Sequence, residues 1–121
     1  MFVKNLDKCQ EFVAGDDTIL RELFHPDKEN LQIRYSLAHA VLKSGKKSYS
    51  HKLKTSEVYY ILEGSGLMHI GDESKEVTAG DAVYIPPGSA QYIENKGKTD
   101  LKFICIVDPA WRKRDEEILE S

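Results

Sequence analysis

Gly45-Lys46-Lys47-Ser48-Tyr49-Ser50-His51-Lys52-Leu53-Lys54-Thr55-Ser56-Glu57-Val58-Tyr59-Tyr60-Ile61-Leu62-Glu63-Gly64 runs from one glycine to another and holds a histidine and a glutamate between them. Its second half, Glu57 to Leu62, is rich in aromatic and β-branched residues, which suit a pleated, half-buried surface. His51, Leu53, Glu57 and Tyr59 share parity, and on extended backbone such residues point to one side. Glu63-Gly64-Ser65-Gly66 closes the stretch as a tight turn. A lysine-rich bend after Gly45 and a strand from Glu57 to Leu62 are expected here, with these side chains aimed to one side.

Outward from this stretch the same grammar repeats. Thr18 to Phe24 alternates and stops at His25-Pro26, since proline cannot donate to a ladder. Leu31 to Leu42 is the longest segment of period two, with Leu31, Ile33, Tyr35, Leu37, His39 and Val41 on one face. Alternation alone leaves open which face looks inward. Leu67 to Ile70, Ala82 to Ile85, Ala90 to Glu94 and Leu101 to Val107 read as further short strands. Gly71-Asp72, Gly80-Asp81, Pro86-Pro87-Gly88 and Asn95-Lys96-Gly97 read as turns between them. Many short strands separated by regular turn signals predict a sandwich or a barrel. Asp108-Pro109 is expected to start a short C-terminal helix, with aspartate as its cap and proline in its first turn.

A second stretch pairs with the first: Gly80, then Pro86-Pro87-Gly88, then Gln91, then Asn95. Together, residues 45–64 and 80–95 resemble the two motifs of the cupin superfamily. The first family motif is a glycine, five residues, H-x-H, three or four residues, a glutamate, six residues and a glycine; the second is a glycine, five residues, P-x-G, two residues, a histidine, three residues and an asparagine. The glycines, His51, Glu57, a proline and Asn95 fall at the family spacing, while Leu53 and Gln91 stand where that pattern has histidines.

The resemblance implies an all-β, double-stranded jelly-roll barrel over the single domain 1–121, of the small conserved-barrel kind. It implies a divalent transition metal (Zn, Fe, Mn or Ni) held by His51, Glu57 and Gln91, with His51 and Glu57 as the catalytic pair and no organic cofactor. An amide oxygen is a weaker donor than imidazole, and leucine donates nothing, so such a site is depleted. The phosphomannose isomerases, distantly similar, include a glutamine in theirs, though from the first motif.

The resemblance leaves two function classes: a metal-dependent enzyme, isomerase- or dioxygenase-like, on a sugar-like or carboxylate substrate, or a metal-free ligand-binding or sensory barrel. Tyr59, His39 and Gln91 are the candidate ligand-binding residues. His39 is also a candidate to replace a missing metal donor. His25 and His69 read as surface residues, and Tyr60 and Tyr92 as packing. Lys43, Lys46, Lys47, Lys52 and Lys54 cluster near His51 and suggest an anion site at the pocket mouth.

Composition narrows the partners. The net charge of -3 gives no reason to expect nucleic acid or an anionic membrane. The longest apolar runs are too short to span a bilayer, and Met1 to Asp7 has no apolar core of a signal peptide. Cys9 and Cys105 lie far apart and form no metal or redox motif, so a reduced, cytoplasmic protein with two free thiols is expected. A homodimer is expected, with Thr18 to Phe24 as the strand that pairs across subunits.

Overall fold

A computed structural model describes residues 1–120. Eleven strands are found among them: β1 (Glu11–Val13), β2 (Ile19–Phe24), β3 (Ser36–Leu42), β4 (His51–Leu53), β5 (Ser56–Glu63), β6 (Ser65–Ile70), β7 (Glu73–Thr78), β8 (Ala82–Ile85), β9 (Gln91–Glu94), β10 (Leu101–Asp108) and β11 (Glu116–Ile118). They form two antiparallel sheets, in the orders β1-β2-β3-β10-β5-β8 and β11-β4-β9-β6-β7. Consecutive strands often lie in different sheets, as a jelly roll requires. No helix among the described residues is long and apolar enough to cross a membrane.

The core lies between the sheets. β10 shows the pattern plainly: Leu101, Phe103, Cys105 and Val107 are buried, while Lys102, Ile104 and Ile106 are only half-buried on the other face. Ile61, Ile93 and Leu101 have no exposed surface at all, so the middle of the barrel is closed by aliphatic side chains from both sheets. β3 resolves the face left open by its alternation. Ser36, Ala38, Ala40 and Leu42 look inward, and Leu37, His39 and Val41 outward. The small residues face the interior, which leaves room for a cavity at one end.

The strand also begins later than its periodicity suggests. The Arg34 carbonyl accepts the Ala110 amide at 2.7 Å, and the Ser36 hydroxyl accepts the Trp111 amide at 2.9 Å. These bonds account for the C-terminus as well. Two amides that would open a helix after Asp108-Pro109 are spent on the start of β3, and Asp108 itself ends β10. In place of the expected helix the chain makes a single 3-10 turn, Lys113–Asp115, and then enters β11, which pairs with β4. β7 carries no alternation that could reveal it: only Val77 is buried, because this strand forms a sheet edge. β2 has β3 along one side, and on the other β1 pairs with Ile19, Leu20 and Arg21 only. Cys9 and Cys105 are both free thiols.

The two glycine-bounded stretches are tied together by Asn95. Its Nδ2 donates to the carbonyls of Leu42 and Thr99, both at 2.9 Å, and its Oδ1 accepts the Gly97 amide at 3.0 Å. Its backbone pairs with Gly45 and Lys46, at 2.9 and 2.8 Å. Gly64 sits at φ +82, and a Cβ there would lie 2.6 Å from the Asp100 carbonyl oxygen, so glycine is demanded both by conformation and by space. Asn95→Ala removes the partner of three backbone groups at once, of which the Leu42 carbonyl is buried, and should cost about 1–3 kcal/mol. Urea denaturation measures this; a loss below about 1 kcal/mol would show that water replaces the amide.

Candidate functional site

Four of the side chains singled out from sequence converge at one end of the barrel. β4 and β9 place His51 directly across from Gln91, and β5 brings Glu57 and Tyr59 to the same interior. All four are buried. Tyr59 Oη donates to Gln91 Oε1 at 3.0 Å, and Gln91 Nε2 donates to Glu57 Oε1 at 2.9 Å. Both ends of the Gln91 amide are thus engaged. Burial pushes the Glu57 carboxyl up to about 8, against the Gln91 hydrogen bond and helped by Asp16 and Glu116, so it is neutral at pH 7. Burial likewise raises the Tyr59 hydroxyl and the Cys105 thiol well above their ordinary ranges, and both stay protonated.

His51 makes a different contact from the one its spacing suggests. Its Nδ1 lies 2.8 Å from the Tyr49 carbonyl oxygen, which only accepts, so Nδ1 carries a proton. Nε2 then faces Asp16 Oδ2 at 3.7 Å, too long for a hydrogen bond. Asp16 is held in place by Thr18, whose amide and hydroxyl donate to Oδ1 at 3.1 and 2.7 Å. Glu116, on β11, joins them, and burial raises its carboxyl. Asp16, His51, Leu53, Glu57, Tyr59 and Glu116 line one cavity of about 270 Å³, with apolar walls that include Leu20, Phe103 and Val107.

Asp16 and Glu116 are the residues that sequence reasoning missed. Gly15-Asp16-Asp17 reads as a turn, and Thr18 two residues after Asp16 was the one local hint of a fixed carboxylate. Glu116 has no local signal, because it enters the site through a strand pairing with β4.

Other expectations shift. His39 does not face the lumen. It lies on the outer face of β3 beside Arg21 and Lys102, and its imidazole is lowered mainly by burial and then by those two cations. The reason is the inward turn of the small Ser36, Ala38, Ala40 row. His25 is buried rather than superficial: its Nε2 donates to the Trp111 carbonyl at 2.7 Å, and its Nδ1 accepts the Asp27 amide at 3.0 Å. It pins the C-terminal segment. His69 stacks on Tyr92 at 4.0 Å and bonds Glu94 at 2.9 Å, on the outside of the smaller sheet. Tyr60 is exposed on the outer face of β5. None of the five clustered lysines lines the cavity; Lys43, Lys47 and Lys52 pair instead with Asp100, Glu120 and Glu117 at the surface.

The cupin-domain family matches residues 38–107, from β3 through β10. The chain belongs to this family. An uncharacterized protein of Methanocaldococcus jannaschii is 44% identical over 115 residues, covering 94% of this chain and 91% of that one. Mannose-1-phosphate guanylyltransferase 2 of Escherichia coli O157:H7 is 33% identical over 109 residues, which make up 84% of this chain but only 22% of the enzyme. A crystal structure from Thermotoga maritima, described as a predicted oxalate decarboxylase, superposes with a TM-score of 0.78 at 23% identity, covering 89% of this chain and 99% of that one.

The cupin resemblance placed a metal on His51, Glu57 and Gln91, and the donors present do not fit one. Leu53 offers no lone pair. The Gln91 oxygen already accepts from Tyr59. No three His, Cys, Asp or Glu side chains among the described residues are grouped to hold an ion.

Proposed function

We propose that this cupin is a metal-independent small-molecule-binding barrel whose ligand is neutral or positively charged and bears hydroxyl groups. The observation that carries the reading is the cavity wall. Four carboxyl groups, Asp16, Glu22, Glu57 and Glu116, line it, and its one lysine among the described residues, Lys28, is tied to Glu22 at 2.7 Å. A dianion such as oxalate, or a sugar phosphate, would meet Asp16 and Glu116 with no free cation to offset them. A sugar-like ligand suits the site better. The neutral Glu57 carboxyl can donate to it, and the Asp16 carboxylate on the same cavity can accept from it.

Acid/base turnover of such a ligand is the second reading. It is favoured because the protonated Glu57 carboxyl and the His51 imidazole face one cavity. A metal-dependent isomerase or dioxygenase needs donors that Leu53 and the engaged Gln91 do not supply.

The test combines metal analysis of protein purified without chelator or histidine tag with thermal-shift screening of neutral polyols, matched sugar phosphates and oxalate. We expect metal far below one equivalent, stabilisation by neutral or cationic compounds, and none by oxalate. A stoichiometric transition metal, or chelator-sensitive stabilisation by oxalate, overturns the proposal. Nuclear magnetic resonance of the same mixtures reports any conversion of the ligand and so separates binding from turnover.

A further inference from the structure

The mouth of the cavity brings two carboxyl groups beside a histidine. Asp16 comes from the loop before β2, His51 from β4 and Glu116 from β11. The Asp16 carboxylate is not free to swing, because Thr18 fixes its Oδ1 with two hydrogen bonds and leaves Oδ2 turned toward His51. Glu116 packs over Gly15, so close that a Cβ on that glycine would come within 2.9 Å of Glu116 Oε1. Carboxylates from distant parts of the chain are thereby brought to one rim.

Two carboxylates alone would be an ordinary solvated pair. The independent observation is His51. It is 2% exposed, yet its Nε2 has no hydrogen-bond partner and lines the cavity. A ring nitrogen without a hydrogen-bond partner, 3.7 Å from Asp16 Oδ2 and on the cavity that Glu116 also lines, calls for a group from outside the chain. Behind the mouth the wall turns apolar, with Leu53, Phe103 and Val107. On β5 the neutral Glu57 carboxyl keeps Oε1 for Gln91 and presents its other oxygen as a donor.

We infer that this mouth is a primary-ammonium subsite, and that the ligand is a small hydroxyl-bearing amine such as an amino alcohol or amino sugar. This deepens the ligand-binding reading above and rests on it. An ammonium group carries three N–H donors, and the Asp16 and Glu116 carboxyl groups supply acceptor oxygens from two separate elements. The positive charge offsets two carboxylates that otherwise repel within a partly desolvated wall. The carbon skeleton lies along Leu53 and Phe103, and a hydroxyl at the far end accepts from Glu57. A neutral polyol fills the same volume but offers fewer donors and no charge. A carboxylate is rejected by Asp16 and Glu116.

The test uses three probes of one size: ethanolamine, ethylene glycol and glycolate. Each is titrated into isotope-labelled protein, and signals of the Leu53 methyls, the Tyr59 ring and the His51 imidazole are followed. Ethanolamine should bind about tenfold or more tighter than ethylene glycol, the scale of one or two charge-assisted hydrogen bonds, and glycolate should leave the signals unmoved. Asp16→Asn and Glu116→Gln should each weaken ethanolamine by about tenfold. Asn keeps the acceptor that Thr18 uses, so the loop is preserved. Glu117→Gln makes the same charge change on β11 outside the cavity and should have no effect on ethanolamine. Three results overturn the inference: glycolate binding as well as ethanolamine, ethanolamine binding no tighter than ethylene glycol, or ethanolamine affinity unmoved by both cavity substitutions. If ethylene glycol still shifts Leu53 and Tyr59 in these cases, the lumen remains a ligand site and only the amine assignment fails. If none of the probes moves those signals, the ligand-binding reading falls with it.

Discussion

Leu53→His combined with Gln91→His should raise the affinity for Zn²⁺, Ni²⁺ or Mn²⁺ by about three orders of magnitude or more, since donor number and donor type set it. The geometry supports convergence. Residues 51 and 91 face each other across β4 and β9, Leu53 shares the inward side of β4 with His51, and Glu57 is within hydrogen-bond reach of Gln91. Three imidazoles and one carboxylate would then surround an open position. A bound cation also removes the reason for Glu57 to hold its proton, because the attraction exceeds the desolvation that now keeps it neutral. Leu53→His alone should give a smaller gain, since the amide of residue 91 remains engaged with Tyr59. Glu57→Gln added to the double variant should lose much of the gain. Stability should fall, because Tyr59 loses its acceptor and a leucine contact is exchanged for a polar ring; about 2 kcal/mol is the expected scale. Titration calorimetry on wild type and the three variants measures the affinities, and urea denaturation the stability. No gain in the double variant would show that the four positions do not share one volume.

Glu57→Gln in the otherwise wild-type protein should flatten the dependence of stability on pH. The folded carboxyl titrates at about 8, against 4.5 for the ordinary group. Between those values the folded protein holds a proton that the unfolded chain has released. Stability therefore falls as pH rises through this window, by up to about 1.4 kcal/mol per pH unit. The penalty is absent below the lower value and complete above the upper one. Wild type should lose about 2–4 kcal/mol from Glu57 between pH 5 and pH 9, allowing for relaxation around the ionised group. Glutamine keeps the carbonyl that accepts from Gln91 and cannot ionise, so the variant should lose less than half as much. Urea denaturation across this range is the measurement. An equal slope in both proteins would place the titrating group elsewhere and leave Glu57 ionised in the fold.

Much of the barrel is legible in the chain itself. Glycines at Gly45, Gly64, Gly80 and Gly88 mark backbone conformations with positive φ, which local sequence encodes directly. Period-two alternation encodes which side chains within one strand travel together, His51 with Leu53 on β4 and Glu57 with Tyr59 on β5. Asn95 is legible for the same reason, as the capping residue of a turn. These are short-range properties of the backbone, and no partner strand is needed to specify them.

What alternation cannot encode is the side of the sheet on which a row finally lies. β3 has its more apolar row, with Leu37 and Val41, outside, because the small inner row of Ala38 and Ala40 fits against Phe103 and Tyr59. That choice depends on β10 and β5, and it carried His39 away from the lumen. The electrostatics of the site were likewise decided only by tertiary pairing. The lysines beside His51 are local in sequence, yet surface carboxylates draw Lys43, Lys47 and Lys52 outward. Asp16 and Glu116 are distant in sequence, yet the β1–β2 loop and the β4–β11 pairing bring both to the cavity that His51 lines. A carboxylate's neighbours are fixed by which chain ends the sheets bring together, so a site whose sequence neighbourhood reads as basic folds into one that is acidic.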